Sequence, residues 1–171
     1  FRMASMTKPI TAYLTLAILN DNKIGIHESV GTYVPEINDL QIAYKEENAI
    51  KYKKNEVPIT FHHLLSCTSG HAYEHHDPIV SELISQKKIA PMKNGDDAFL
   101  EAPLVSKPGS RWGYGISYGW LGKGIEAITG SSLDENLKKY LCYPLNLERT
   151  SFSPEQCSID TLAPVYFKGS D

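Results

Sequence analysis

The chain has 171 residues, 42% hydrophobic and 22% charged, with a mean hydropathy of -0.29. These are values of an ordinary globular protein, and they exclude a disordered chain. Lys and Arg number 17 against 20 Asp and Glu, a net charge of -3 without a sustained basic run, which argues against a nucleic-acid partner; the longest apolar stretch, Tyr13 to Leu19, is too short to span a bilayer.

In chain order, the first predicted element is a helix over Ala4 to Asn20. It places Met6, Ile10, Tyr13, Leu14, Ala17 and Ile18 on one face, tolerates Pro9 in its opening turns, and stops at Asn20-Asp21-Asn22. Lys23 to Ile26 and Val30 to Pro35 read as extended pieces and turns. The charged stretch Ile42 to Ile59 reads as an exposed hairpin or excursion. Thr60 caps a short helix, Phe61 to Ser66, that Thr68-Ser69-Gly70 ends. Two weaker helical patterns, Pro78 to Lys87 and Asp97 to Glu101, flank a loop at Pro91 to Gly95. A second strong helix follows from Trp120, Leu121, Gly124, Ile125 and Ile128, closed by Gly130. Ser132 caps a third, Leu133 to Leu141, which ends before Pro144. No repeat or linker marks a second domain, so the expectation is a mainly helical unit.

Ser5-Met6-Thr7-Lys8 is an S-x-x-K sequence at the start of the first helix. Three residues of spacing put both side chains on one face, where a helix N-terminus supplies partial positive charge and unpaired N–H groups. A lysine there can take the serine proton. Alone, the pattern is equally that of a serine cap followed by a surface lysine.

Other motifs change that weight. Phe1 to Thr11 resembles the nucleophile segment of the serine β-lactamase and penicillin-binding-protein superfamily, and Leu64-Leu65-Ser66-Cys67-Thr68-Ser69-Gly70 resembles its Leu-Leu-x-His-Thr-Ser-Gly segment, with Cys67 where a histidine is usual. Lys107-Pro108-Gly109-Ser110-Arg111-Trp112-Gly113-Tyr114-Gly115-Ile116-Ser117 resembles the segment that carries the second-motif tyrosine. The resemblance implies a fold that is mainly α within an α+β architecture. Residues 1–171 would form the helical half of one β-lactamase and transpeptidase-like domain, with the flanking antiparallel sheet largely missing.

It also implies a serine hydrolase or acyltransferase working through an acyl-enzyme on ester, thioester or amide substrates, most closely a β-lactamase-like carboxylesterase. Ser5 would be the nucleophile, Lys8 and Tyr114 its proton-handling partners, and Trp112 and Ser117 substrate contacts; no cofactor or metal is implied. The family's asparagine two residues after the tyrosine is replaced by Ile116, which resembles the esterase and acyltransferase branches more than the true β-lactamases. One oxyanion donor would be the Ser5 amide. The other would come from a C-terminal strand that Lys168-Gly169-Ser170 does not match. The alternative is a catalytically weak, lactamase-like binding or scaffolding module.

His71, His75, His76 and Asp77 lack an H-E-x-x-H pattern and read as a polar loop rather than a metal site. Cys67 reads as a small buried residue, and the glycines between 109 and 124 form no nucleotide-binding turn. Cys67, Cys142 and Cys157, without paired spacing, suggest reduced thiols and favour the cytosol, leaving the compartment and the oligomeric state open. A protein lacking its sheet is expected to leave an apolar face uncovered along the nucleophile helix, at Met6, Ile10, Leu14 and Ile18.

Overall fold

A 3₁₀ turn, Ala4–Met6, leads into α1 (Thr7–Asp21) in the computed structural model, which describes residues 1–91, 97–153, 162–164 and 166. Pro9 is the third residue of α1, where its missing N–H removes no helical bond. The buried face is Thr11, Leu14, Thr15, Ile18 and Leu19. It is rotated from the expected stripe: Met6 and Tyr13 are exposed, and so is Leu16, whereas Leu14 and Ile18 are fully buried instead of uncovered. The physical reason is that α1 is apolar nearly all round, so spacing alone does not select the packed face. Thr11 and Thr15 bury easily because their hydroxyls donate back to the carbonyls of Thr7 and Thr11 at 3.3 and 2.8 Å.

Val30–Thr32 and Pro35–Asp39 are 3₁₀ turns rather than extended pieces, the first capped by Ser29 and the second opened by Pro35. The hairpin is formed by β1 (Gln41–Glu46) and β2 (Ala49–Lys54), paired antiparallel with Tyr44 opposite Lys51. Glu47 and Asn48 both take positive φ, 50° and 67°, as a two-residue hairpin turn requires. β1 also bonds to Leu104, burying Ile42 and Ala43, while β2 stands in solvent.

α2 (Phe61–Leu65) starts in a capping box between Thr60 and His63. The left-handed residue that follows it is Cys67, φ 55°, ahead of the expected Thr68-Ser69-Gly70 stop. α3 (Pro78–Ser85) is capped by Asp77, and Asp97–Glu101 is a 3₁₀ turn; the loop expected at Pro91 to Gly95 lies mostly outside the described residues.

α4 (Ser117–Thr129) ends at Gly130, whose φ of 67° suits a residue without Cβ. It joins two apolar clusters. Trp120 and Leu121 belong to the larger, with Leu19, Phe61, Leu64 and Leu104; Ile125 belongs to the smaller, with Leu14, Ile18, Leu137 and Cys142. Full burial of each such leucine contributes about 1.5–3 kcal/mol.

α5 (Leu133–Leu137) begins in the Ser132–Glu135 capping box, then widens into a π turn, Lys138–Cys142, and resumes as α6 (Tyr143–Leu145). Pro144 therefore does not end the helical path. The wide turn shifts the bonding register, so the missing N–H falls at a new helix start. Among the described residues helices dominate, the one sheet has two strands, and no helix is long and apolar enough to cross a membrane.

Candidate active site

Ser5 is exposed within the Ala4–Met6 turn, directly after Ala4, whose φ of 47° is unusual for a residue with a Cβ. Its amide belongs to the opening turn, where N–H groups have no intrahelical acceptor. Lys8, one turn further, donates from Nζ to Ser5 Oγ at 3.3 Å.

Tyr114 joins them from more than a hundred residues away. Its segment lies against residues 67–73: the Gly113 amide donates to the Cys67 carbonyl at 2.8 Å, and the Tyr73 amide to the Tyr114 carbonyl at 2.9 Å. Gly115 permits this approach, since a Cβ there would stand 2.6 Å from the Ala72 nitrogen. Ser5 and Lys8 both act on the Tyr114 hydroxyl and together hold its pKa below the usual phenol value by favouring the phenolate. Lys8 Nζ also sits 4.7 Å from the Tyr114 ring centroid. The structure thus brings Ser5, Lys8 and Tyr114 together.

Trp112, 65% exposed, stacks beside Tyr114 at 6.2 Å and 18°, leaving much of its indole open to solvent at the site's edge. His76 meets the Tyr114 ring edge-on at 5.7 Å. Cys67 is buried against the same cluster; desolvation raises its thiol pKa, partly offset by Lys8. A thiol kept protonated is a poor nucleophile.

Ser117 lies beneath the site rather than at it. It is fully buried at the start of α4, and its Oγ meets Ser69 Oγ at 2.8 Å, which in turn meets His71 Nδ1 at 2.9 Å. No surface of Ser117 is open to a substrate, so its expected contact role gives way to a packing one. His71 turns inward with this network and its pKa is lowered to about 3 by burial, while His75 and His76 are exposed and Asp77 pairs with Arg111 at 3.1 Å. Among the described residues no group of three or more His, Cys, Asp or Glu is placed to hold a metal ion.

Sequence reasoning missed Tyr73 and Tyr118. Both rings stand 5.9 Å from Lys8 Nζ, and with ten tyrosines in the chain nothing in local spacing singled them out. Lys168-Gly169-Ser170 falls outside the described residues.

The beta-lactamase family model matches residues 1–168. The chain belongs to the beta-lactamase family. It is 31% identical over 159 residues to the ML-236A carboxylate methylbutanoyltransferase of Penicillium citrinum, covering 91% of this chain and 38% of that protein. It is 27% identical over 158 residues to a lovastatin esterase of Penicillium rubens, covering 89% and 39% respectively. Among solved structures it is similar to the unliganded simvastatin synthase of Aspergillus terreus, with a TM-score of 0.80 and 27% identity over 90% of this chain and 39% of that one. The chain spans less than two fifths of each of these three proteins, which are named a methylbutanoyltransferase, an esterase and a synthase.

Proposed function

We propose that the protein is a serine acyl-transfer enzyme: Ser5 takes an acyl group from a small-molecule ester or thioester and passes it to water or an alcohol. The observation that carries this reading is the convergence of Ser5, Lys8 and Tyr114: Lys8 Nζ donates to Ser5 Oγ at 3.3 Å and lies 4.7 Å from the Tyr114 ring centroid. In the acylation step the Tyr114 phenolate, stabilised by the Lys8 ammonium, accepts the Ser5 hydroxyl proton as Oγ attacks the carbonyl. The Ser5 amide donates to the developing oxyanion. When the tetrahedral species collapses, Tyr114 returns the proton to the leaving alcohol or thiol. Deacylation mirrors this: the incoming water or alcohol gives its proton to Tyr114 as it attacks, and Ser5 Oγ recovers a proton as it leaves.

Trp112 offers a flat apolar wall beside the reacting centre, suited to the acyl chain or the acceptor. Esters are favoured over β-lactam amides because Ile116, only 4% exposed, presents no side-chain amide after Tyr114. The test is hydrolysis of a p-nitrophenyl ester by the full-length protein. Ser5→Ala is expected to abolish it and Cys67→Ala to leave most of it, with melting curves separating a loss of fold from a loss of chemistry. Turnover unchanged in Ser5→Ala would overturn the reading, and absence of turnover in every form would favour the binding-module alternative.

A further inference from the structure

The Lys8 ammonium stands among three tyrosine rings and, among the described residues, is paired with no carboxylate. Its Nζ lies 4.7 Å from the Tyr114 centroid and 5.9 Å from those of Tyr73 and Tyr118, all within the reach of a cation–π contact. The rings come from two regions, the segment after α2 and the stretch that leads into α4. Tyr118 is fixed without help from the lysine, whereas Tyr73 also interacts with it through its hydroxyl. Tyr118 donates its hydroxyl to the Leu65 carbonyl at 3.1 Å. Tyr73 is tied through its amide to the Tyr114 carbonyl at 2.9 Å, and its ring meets the Tyr114 ring edge-on at 5.4 Å.

Their hydroxyls are tuned in opposite directions. Burial raises the pKa of Tyr73, against an opposing pull from Lys8, and that of Tyr118, whereas interaction with Ser5 and Lys8 lowers that of Tyr114.

We propose that Tyr73 and Tyr118 are positioning residues whose rings hold the Lys8 ammonium beside Ser5 Oγ. The proposal rests on the acyl-transfer reading above. The physical case lies in what the rings replace. A lysine side chain has four rotatable bonds, and something must select the one arrangement that reaches Ser5. A carboxylate would do so, but its negative charge would compete with the Tyr114 phenolate for the ammonium and raise the Tyr114 pKa. Neutral ring faces attract the cation and add no charge.

The test uses ester turnover by the full-length protein, with Ser5→Ala as the reference for the underlying reading. At position 118, and separately at 73, phenylalanine is followed by mono- and trifluorinated phenylalanines, which keep the ring's shape and progressively remove its attraction for a cation. We expect kcat to fall stepwise, by about threefold or more across the series, with KM changing less than about twofold. Tyr118→Leu is expected to cost about tenfold in kcat. A purely structural ring would respond to leucine in its melting temperature and be indifferent to fluorination. If turnover depends on Ser5 but is flat across the fluorinated series at both positions, the positioning role is overturned while the acyl-transfer reading stands. If turnover survives Ser5→Ala, the acyl-transfer reading falls and takes the proposal with it.

Discussion

Ser69 meets the His71 ring nitrogen at 2.9 Å, a closer serine–base approach than the 3.3 Å between Ser5 and Lys8. The two clusters nevertheless have opposite characters. Ser69, His71 and Ser117 are shut in the interior, and burial holds His71 neutral, with a pKa of about 3. No substrate reaches them and no charge is available to respond to one. Ser5 is exposed, and a cation and a phenol of lowered pKa share its hydroxyl. Proximity of a serine to a base is thus insufficient; access and a movable proton separate a reactive pair from a structural one.

That contrast gives the largest expected effect. Ser5→Ala is expected to lower ester turnover by about a thousandfold or more with little change in melting temperature, since an exposed hydroxyl carries little stability. Ser69→Ala is expected to do the reverse, costing about 1–3 kcal/mol by leaving the His71 nitrogen and the Ser117 hydroxyl without their partner, while turnover of the folded fraction stays within about threefold. Urea unfolding and steady-state kinetics on both variants would break the comparison if the two effects were exchanged.

The same division between interior and surface runs along α1. Leu14, at 0% exposed, is expected to lose about 2–5 kcal/mol on replacement by alanine. Leu16, two residues on and 49% exposed, is expected to lose less than about 0.5 kcal/mol. Equal losses by chemical denaturation would mean that the outer face of α1 is covered in the protein as it functions.

Acid sharpens the comparison further. His71 is held near pKa 3 in the fold against 6.5 as its ordinary value, so the unfolded chain binds the extra proton first. Its contribution to stability is therefore complete above about pH 6.5 and is lost as pH falls toward 3. Urea midpoints measured from pH 7 to pH 4 are expected to decline, and to decline less in His71→Phe. An identical slope in the variant would remove His71 as the cause.

Legibility in the sequence differed by element. α4 was readable because its apolar residues are interrupted by glycine, lysine and glutamate, so that Trp120, Leu121 and Ile125 could face only inward. α1 was readable as a helix and not as a face, because Leu16 is as apolar as Leu14 and Ile18 and Tyr13 carries a largely apolar ring. The π turn at Lys138–Cys142 has no local signal, and Pro144 suggested an end where the chain only changes register. Ser5, Lys8 and Tyr114 were legible because each lies in an ordered motif, whereas the burial of Ser117 and the approach of Tyr73 and Tyr118 to Lys8 arise only when distant segments pack. The crowded glycines around Tyr114 were the one trace of that packing, since Gly115 is where two backbones meet.

The central claim is that Ser5, and no other serine or thiol near Lys8, becomes acylated. It is tested most directly by treating the full-length protein with a fluorophosphonate probe and mapping the adduct by peptide mass spectrometry. A single adduct on Ser5, absent after Ser5→Ala and formed in step with loss of ester turnover, is the predicted result. An adduct on Ser69 or Cys67, or turnover that persists once Ser5 is fully labelled, would contradict it.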